Sequence, residues 1–474
     1  MSNQDFPNCG ISAAIQPFGV EHEQDYIEKV RALKGGGAGS YFIDTYGCQM
    51  NAHDSETLAG ILELMGYIQA EEKNKADIII FNTCCVRENA ENRIKGNIGA
   101  VKPIKEKRPE LITVVCGCMT QQPGVAEALK KTFGFIDIIM GSGCANKLPE
   151  LLYNLLLGQK SAPVLSGENQ AIIERTPIKR VRKESAYINI MYGCNNYCSY
   201  CIVPYVRGRE RSRASADIIE EARSLALDGC REIILLGQNV NSYRTGDVDF
   251  PALLKSVAEI SPLLRVRFAT SHPKDMSDRL IETMASMPNI CRAIHLPAQS
   301  GSTAVLERMN RKYTREWYLG RVDAIRRLMP DCAITTDLIA GFCGETEEDH
   351  RATLSLMEQV GYDFAYMFKY SERPGTYAQR HLKDDVPDEV KTARLTEIIN
   401  LQNELSERSN RRDVGKEFEI LVEGVSKRSD DQLFGRTSQN KVVVFDRGNH
   451  AAGDYVRVRI TGCSSATLYG EEIF

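Results

Sequence analysis

Gly193-Cys194-Asn195-Asn196-Tyr197-Cys198-Ser199-Tyr200-Cys201 is the stretch around which the rest of the sequence is organised. Its cysteines have the spacing CxxxCxxC, and their thiolates are the soft ligands that iron–sulfur clusters use. A cubane cluster has four irons, so three protein ligands leave one iron open to bind and reduce a small molecule. A zinc site would normally offer two CxxC pairs or cysteine with histidine, and no histidine lies nearby. The alternative is three unrelated core cysteines.

The length and composition are those of a protein with several domains. The chain has 474 residues, a length typical of about three domains. Its hydrophobic content of 43% and charged content of 26% are usual for soluble globular proteins, and a net charge of −4 neither requires nor excludes a nucleic-acid partner. Fifteen cysteines are too few for a disulfide scaffold, and we see neither a signal peptide nor an apolar run of spanning length. We therefore expect a cytoplasmic protein with no membrane association.

Short apolar runs alternate with helical patterns from residue 40 to about residue 160, after an N-terminal extension of residues 1–39. This alternation predicts an open parallel α/β sheet domain with helices on both faces. The extension contains a possible short helix near residues 23–33 and a glycine-rich hinge at residues 35–39. The predicted strands are residues 41–46, 78–81, 111–115 and 136–140.

A second group of cysteines follows these strands. Cys48 comes just after the first strand, Cys84 after the second and Cys118 after the third. Because parallel strands end at one edge of a sheet, three thiolates could converge there on a second cluster, again one ligand short. Cys85 and Cys116 are close neighbours in sequence, and spacing alone does not separate them from Cys84 and Cys118.

Residues 161–184 form a basic connector, and a second α/β pattern occupies residues 185–412. The connector is either a solvated linker or a contact for RNA. The predicted strands that follow are residues 187–191, 232–236, 266–270, 293–296, 334–339 and 364–370, with helices between them. Six such strands predict a partial (β/α)6 TIM-type barrel, whose active edge is at the C-terminal ends of the strands.

Polar side chains collect at that edge, where they could hydrogen-bond a nucleoside, its ribose and an amino-acid tail. The residues are Gln238, Asn239, Ser271, Gln299 and Asp337. Any one of them alone could be turn chemistry. We assign no general acid or base, and we expect His272 and His295 to have structural roles.

Two further segments suggest nucleic-acid binding. Arg207, Arg209, Arg211 and Arg213 alternate along a segment that, if extended, would point all four guanidinium groups to one face, where they could bind phosphates or form surface salt bridges. Residues 413–474 have a period of two, with strands at 418–422, 442–445 and 455–461. This pattern predicts a small β-barrel that either binds RNA, with Arg436 among its cations, or serves for packing or dimerisation.

Taken together, these motifs resemble the tRNA methylthiotransferases of the radical S-adenosylmethionine (SAM) class. The resemblance extends from about Ser40 to Phe474, and the C-terminal barrel is similar to the TRAM domain, an RNA-binding module. It rests on Thr45-Tyr46-Gly47-Cys48-Gln49-Met50-Asn51, Asn82-Thr83-Cys84, Gly117-Cys118, residues 193–213, residues 235–243, Leu296-Pro297-Ala298-Gln299-Ser300-Gly301, residues 337–342 and Gly435-Arg436-Thr437.

The resemblance implies two 4Fe-4S clusters, one bound by Cys194, Cys198 and Cys201 and one by Cys48, Cys84 and Cys118. The first cluster would cleave SAM to a 5'-deoxyadenosyl radical, and the second would hold the sulfur to be inserted. The SAM-binding residues would include Tyr200, the aromatic residue before the last cysteine, together with the polar residues named above.

The implied substrate is the anticodon stem-loop of tRNA, which the basic linker, the alternating arginines and the terminal barrel would bind. The motifs are most similar to the branch that places a methylthio group on carbon 2 of isopentenyl-adenosine at position 37, with one SAM as methyl donor and one as radical source. An electron donor such as flavodoxin or ferredoxin and a sulfur donor would be needed as partners.

Three other functions stay open from the sequence. Two are sister reactions: methylthiolation of threonylcarbamoyl-adenosine in tRNA, or of an aspartate in a ribosomal protein. The third is a non-catalytic RNA-binding protein with structural metal sites. The metal content of anaerobically prepared protein separates this last class from the enzymes.

Overall fold

The computed structural model describes residues 15–17, 22–35, 37–85, 88–167 and 172–473. The chain divides into two compact units. The first comprises Met1–Lys179 and Val206–Arg213, and the second comprises Arg180–Tyr205 and Ala214–Phe474. Among the described helices, none is both long and apolar enough to cross a membrane.

The first unit is built on a five-stranded parallel sheet. Its central strand, Ile78–Thr83, is buried along its whole length because helices cover both faces. The four predicted strands are confirmed, and a short edge strand, Tyr67–Gln69, had not been predicted. In spatial order the strands are Tyr67–Gln69, Gly39–Thr45, Ile78–Thr83, Ile112–Gly117 and Ile138–Ile139.

Among the described residues this unit has six helices, and one of them confirms the short helix expected in the N-terminal extension. A separate parallel pair joins Ile15–Pro17 to Ile172–Glu174. The core of the unit lies between the sheet and the long helix Gln49–Leu64, where Ile61, Leu62 and Ile80 have no exposed surface. The helices are His22–Leu33, Gln49–Leu64, Glu88–Gly99, Lys102–Lys107, Val125–Thr132 and Leu148–Leu156.

The second unit contains the six predicted parallel strands in two groups of three. One group has the order Arg265–Phe268, Glu232–Leu236, Ser185–Asn189, and the other has the order Ala293–His295, Ala333–Ala340, Phe364–Lys369. A parallel bridge between Val266 and Ile290 connects the groups. The two groups of strands and their helices share one apolar core, as the barrel prediction required.

The helices of this unit follow the predicted pattern closely. Arg315–Leu328 and Glu347–Val360 each lie between two of the predicted strands, as the sequence pattern required. Each begins at a threonine whose hydroxyl accepts a hydrogen bond from a backbone N–H of the first turn. The helices are Ser215–Leu227, Phe250–Ala258, Asp278–Ser286, Thr303–Arg308, Arg315–Leu328, Glu347–Val360, Tyr377–His381 and Asp388–Arg411.

The chain ends in a closed five-stranded barrel, which confirms the small β-barrel prediction. The strands occur around the barrel in the order Glu417–Val425, Gln432–Arg436, Val442–Asp446, Leu468–Glu472, Tyr455–Cys463. Three of them had been predicted. The barrel packs on the sheet of the second unit through Arg267, whose guanidinium donates to the carbonyls of Thr437 and Ser438 over 2.6 and 3.0 Å.

Candidate metal centres

Three of the predicted cysteines lie close together at the C-terminal edge of the first sheet. Cys48 is the residue just before the helix Gln49–Leu64, and Cys84 and Cys118 directly follow two adjacent strands. Gly47 has a φ of 109°, and a Cβ there would stand 2.6 Å from the Cβ of Cys84 and 2.8 Å from its sulfur. Only glycine allows the turn that carries Cys48 to lie this close to Cys84.

Asn51 connects the other two thiols. Its Oδ1 lies 3.9 Å from the sulfur of Cys48 and 4.0 Å from the sulfur of Cys118. Its Nδ2 donates to the carbonyls of Tyr46 and Thr83 over 2.7 and 2.9 Å, which fixes the side chain between two strand ends. Cys48 and Cys118 are therefore grouped around one immobilised amide.

The neighbouring cysteines that spacing could not exclude have different environments. Cys116 points into the apolar core, and burial raises the pKa of its thiol. Cys85 donates a hydrogen bond to Cys118, and that bond, together with burial, raises the pKa of Cys85. The same bond lowers the pKa of Cys118 to about 6 against the effect of burial, and Arg207 contributes to the lowering. The structure thus separates Cys116 from the group but leaves Cys85 beside it.

Arg207 lies in this thiol group, although the sequence had suggested that it contacts RNA. Its side chain is only 6% exposed. Nε lies 3.2 Å from the sulfur of Cys118, and Nη2 lies 2.8 Å from Asn51 Oδ1 and 3.0 Å from Asp54 Oδ2. The sequence pattern did not indicate this role of Arg207, nor did it mark Asn51 and Asp54 as its partners.

The predicted row of four arginines on one extended face is therefore wrong. Val203–Arg207 is helical, which breaks the alternation. Arg213 is also turned inward, with hydrogen bonds of 2.8 and 3.0 Å from Nε and 2.5 Å from Nη2 to the carboxylate of Glu174. Arg209 is exposed and Arg211 is half-buried. A buried guanidinium that already has a carboxylate partner is not available to a phosphate.

In the second unit, Cys194, Cys198 and Cys201 lie on one loop that follows the strand Ser185–Asn189 and the short strand Met191–Tyr192. Ser199 holds this loop from both sides, since its N–H donates to Met309 O over 3.0 Å and its carbonyl accepts from Ala378 N over 2.7 Å. Burial and the neighbouring Cys198 raise the pKa of Cys201 to about 12. Metal coordination reverses such an effect, because a coordinating thiol is deprotonated.

Two residues that the sequence did not single out support this loop. Asn310 Nδ2 donates over 2.9 Å to the carbonyl of Tyr197, which has a φ of 47°. Arg311 is buried, with Nη1 3.2 Å from the sulfur of Cys198, Nη2 2.8 Å from Pro297 O and Nε 3.0 Å from the hydroxyl of Tyr313. No local sequence signal marks either residue, because both act on a loop more than a hundred positions earlier in the chain.

The donor sets suit cubane clusters. Soft thiolates are grouped in each unit, and each group contains a buried guanidinium that can offset part of the cluster's negative charge. Across the described ranges, no three His, Cys, Asp or Glu side chains are arranged to hold a single metal ion. The ligands of a cubane bind separate irons and need not meet at one point.

Most of the predicted SAM-binding residues already have protein neighbours at this edge. Asn239 is already engaged, since its Nδ2 donates to Asp275 Oδ2 over 2.7 Å and its Oδ1 accepts from His272 N over 3.0 Å. Asp337 Oδ1 lies 3.5 Å from His295 Nε2. Tyr200 packs edge to face on Phe342, and Gln299 is buried with a φ of 69°. Gln238 is in the same turn as Asn239.

Other polar atoms at the same edge are buried without a protein partner. They are the hydroxyl of Ser271, Nε2 of His272 and both side-chain atoms of the Asn241 amide. These residues follow two adjacent strands, so their open donors and acceptors fit a polar ligand such as the nucleoside and amino-acid ends of SAM. Ser271 had been predicted, whereas His272 and Asn241 had not.

Three family models match the chain in separate regions. Residues 40–141 match the Uncharacterized protein family UPF0004, residues 188–357 match the Radical SAM superfamily and residues 411–473 match the TRAM domain.

Curated relatives match nearly the whole length. The chain is 54% identical to the tRNA-2-methylthio-N(6)-dimethylallyladenosine synthases of Bacteroides fragilis and Bacteroides thetaiotaomicron, over 91% of this chain and 95% and 96% of theirs. It is 49% identical to the protein of that name from Clostridium botulinum, over 92% of this chain and 97% of the other.

Solved structures share the fold at low identity. The radical S-adenosylmethionine methyltransferase TsrM of Kitasatospora setae, with tryptophan and a SAM analogue bound, aligns with a TM-score of 0.51 at 14% identity over 70% of this chain and 73% of that one. The cobalamin-dependent radical enzyme OxsB aligns with a TM-score of 0.50 at 11% identity over 78% of this chain and 62% of that one.

Proposed function

Because this chain belongs to the family of the tRNA-2-methylthio-N(6)-dimethylallyladenosine synthases, which are radical SAM enzymes, we propose that it places a methylthio group on carbon 2 of N6-isopentenyl-adenosine at position 37 of tRNA. The observation that carries this proposal is the second thiol group. Radical cleavage of SAM needs only the loop with Cys194, Cys198 and Cys201. Cys48, Cys84 and Cys118 at the edge of a separate sheet give the chain a further site, suited to a sulfur-bearing cluster.

The proposed chemistry matches the two sites. The C–H bond at carbon 2 of adenine is too inert for acid–base attack, so a carbon radical is a suitable reagent. When bound, a 4Fe-4S cluster in the second unit would supply the electron that cleaves SAM, and one in the first unit would hold the sulfur to be inserted. The protein's own part is to position the groups: Ser199, Asn310 and Arg311 fix the cysteine loop.

We further propose that SAM binds at the C-terminal edge of the six strands. The buried hydroxyl of Ser271 supports this, and Asn239 would act by holding the backbone of His272 in place. Tyr200, Gln238, Gln299 and Asp337 belong to the same proposed site. The domain limits of 40–160, 161–184, 185–412 and 413–474 are likewise proposals.

For the substrate, we propose that the anticodon stem-loop of tRNA contacts the exposed cations and the TRAM barrel. We propose that Arg209 and Arg211 contact the RNA. Arg207 and Arg213 are not included, because their side chains are buried. Arg436 is two-thirds buried and its Nε lies 2.8 Å from Glu423 Oε1, so it would need to exchange this carboxylate for a phosphate. A cytoplasmic location, an electron donor such as flavodoxin or ferredoxin and a sulfur donor complete the proposal.

Nucleoside mass spectrometry of tRNA tests the function. A strain that lacks the gene should accumulate isopentenyl-adenosine without the methylthio group, and the wild-type chain should restore the modified base. A variant with Cys198→Ala should fail to restore it. Loss of methylthio from threonylcarbamoyl-adenosine instead, or an unchanged tRNA profile with an altered ribosomal protein, would assign the enzyme to one of the sister reactions. Anaerobic reconstitution that yields one or two zincs in place of about eight irons would refute catalysis.

A further inference from the structure

The environment of Arg207 is unusual for an arginine that touches a thiol. Its side chain is almost fully buried, so its charge must be offset by groups within the protein. Its described partners are one carboxylate, that of Asp54, one amide oxygen, that of Asn51, and the sulfur of Cys118.

The planar shape of the guanidinium explains how one side chain serves all three partners. Nη2 is held by Asn51 and Asp54, which are both on the helix Gln49–Leu64. This anchor directs Nε toward Cys118, which follows a strand of the sheet. A lysine has a single charged nitrogen and could not keep the same fork. The arrangement therefore orients a charged donor on one particular sulfur.

We propose that Arg207 is a positioning residue of the iron–sulfur site in the first unit, where it donates a hydrogen bond to the ligand sulfur of Cys118, raises the reduction potential of the bound cluster and slows its loss of iron. The inference rests on the proposed function, since it takes Cys118 as a cluster ligand. Net charge and hydrogen bonds to the sulfurs set the potential of such clusters. A cation at hydrogen-bond distance stabilises the reduced form more than the oxidised form, because the reduced form carries one more negative charge.

Asp54 gives this proposal a signature that a purely structural role lacks. The carboxylate partly neutralises Arg207 and is itself close to the site. Removing the cation should lower the potential, and removing the carboxylate should raise it. If the pair served only to hold the fold together, both changes would loosen the site in the same sense.

The experiment uses the full chain with Cys194→Ala, Cys198→Ala and Cys201→Ala, so that only the cluster of the first unit remains. The variants are Arg207→Met, Arg207→Lys and Asp54→Asn. The matched control is Lys105→Met, which also removes a cation from an ion pair, with Asp137. Lys105 contacts the N-terminal end of the strand Ile112–Gly117, through the carbonyl of Leu111, whereas Cys118 follows its C-terminal end. The six residues between them span about 20 Å.

Two quantities are measured under anaerobic conditions: the midpoint potential by redox titration followed by EPR, and the rate of iron loss to a chelator. Arg207→Met should shift the potential to a lower value and release iron roughly 10- to 100-fold faster. Arg207→Lys should lie between this variant and the parent. Asp54→Asn should shift the potential upward, and Lys105→Met should leave it unchanged.

Three outcomes would overturn the inference. One is an unchanged potential in both Arg207→Met and Asp54→Asn. Another is a shift of the same sign in both, and the third is a Lys105→Met shift as large as that of Arg207→Met. If Arg207→Met does not fold, the opposite signs for Arg207→Lys and Asp54→Asn still decide the question. If the parent with the three alanines binds no iron, the proposed function fails at its second cluster, which is distinct from failure of the Arg207 inference.

Discussion

The guanidinium of Arg311 donates from Nη1 to the sulfur of Cys198 over 3.2 Å, the same distance that separates Arg207 Nε from the sulfur of Cys118. Each unit thus places one buried arginine against one cysteine of its thiol group. Further guanidinium nitrogens bond to protein oxygens, namely Nη2 of Arg207 and both Nε and Nη2 of Arg311, and these bonds fix the direction of the donor. Charge-assisted donors held in this way stabilise a thiolate more than a mobile surface cation does.

The first prediction concerns Arg311. Arg311→Met leaves Cys198 without its charged donor and should reduce the reductant-dependent release of 5'-deoxyadenosine roughly 10- to 100-fold. Product release is measured with SAM alone, in protein with Cys48→Ala, Cys84→Ala and Cys118→Ala, so that only the loop cluster contributes. Arg223→Met is the control, since Arg223 is more than half exposed and pairs with Glu220. A full rate in Arg311→Met would contradict the prediction.

The second prediction concerns pH and His272. Burial, with Arg311 and Lys274 nearby, lowers the pKa of His272 to about 2, whereas an unfolded histidine titrates near 6.5. Between these values the unfolded chain binds more protons, so stability falls as the pH drops below 6.5. Between pH 7 and pH 5.5, the protonation of this histidine in the unfolded chain should lower the free energy of unfolding of the second unit by about 1 kcal/mol.

His272→Asn tests that loss, because asparagine keeps an acceptor for Lys274 N–H and has no ionisable group. Urea unfolding of the metal-free chain is followed through the fluorescence of Trp317, the only tryptophan, which is in the same unit as His272. The difference between wild type and variant should change by about 1 kcal/mol from pH 7 to pH 5.5. A difference independent of pH would show that the histidine does not titrate as expected.

The third prediction concerns the attachment of the barrel. Arg267 is buried, its Nε lies 2.6 Å from Glu232 Oε1, and it also donates to two barrel carbonyls. Arg267→Met leaves a buried carboxylate without its cation and should lower the free energy of unfolding by about 3 kcal/mol. Arg457→Met removes an arginine that is 69% exposed and pairs with Glu417, and it should cost less than about 0.5 kcal/mol. Equal effects in urea unfolding would refute the assigned role of Arg267.

Local pattern explains what the sequence could predict. The helix Arg315–Leu328 has regular apolar spacing and a capping threonine, so its bounds follow from nearby residues. That cysteines after neighbouring parallel strands meet at one sheet edge follows from strand direction. The choice of Cys84 and Cys118 over Cys85 and Cys116 came from the family resemblance. The inward position of Arg207 follows from neither, since its partner Asn51 is 156 positions away. Alternation predicted an outward side chain, and tertiary contacts reversed it.

Glycine explains the two barrel strands that were missed. Gln432–Arg436 contains Gly435 and Leu468–Glu472 contains Gly470, and glycine in a short segment is typical of a turn. In the barrel, a Cβ at Gly435 would lie 2.2 Å from the carbonyl oxygen of Leu421, and one at Gly470 would lie 2.4 Å from Cγ1 of Val458. Both glycines are needed because neighbouring strands approach closely, a requirement that only the folded barrel reveals.

The last prediction separates ligands from core cysteines in the first unit. In the protein with Cys194→Ala, Cys198→Ala and Cys201→Ala, we expect about four irons per chain. We expect most of this iron to be lost in each of the variants Cys48→Ala, Cys84→Ala and Cys118→Ala, because a cluster held by only two protein ligands dissociates from the protein readily. Cys116→Ala should keep the iron and lower the free energy of unfolding by about 1 kcal/mol, since its sulfur fills space in the apolar core.

Cys85→Ala is the decisive member of this series, because Cys85 hydrogen-bonds to Cys118 and follows Cys84 directly. If Cys84 is the ligand, Cys85→Ala should retain the iron and alter only the EPR spectrum, through the lost hydrogen bond to the ligand sulfur. Iron content is measured together with acid-labile sulfide in each variant, and circular dichroism establishes that the chain has folded. Loss of iron in Cys85→Ala with retention in Cys84→Ala would transfer the ligand role to Cys85, and retention in all five single variants would remove the cluster from this sheet edge.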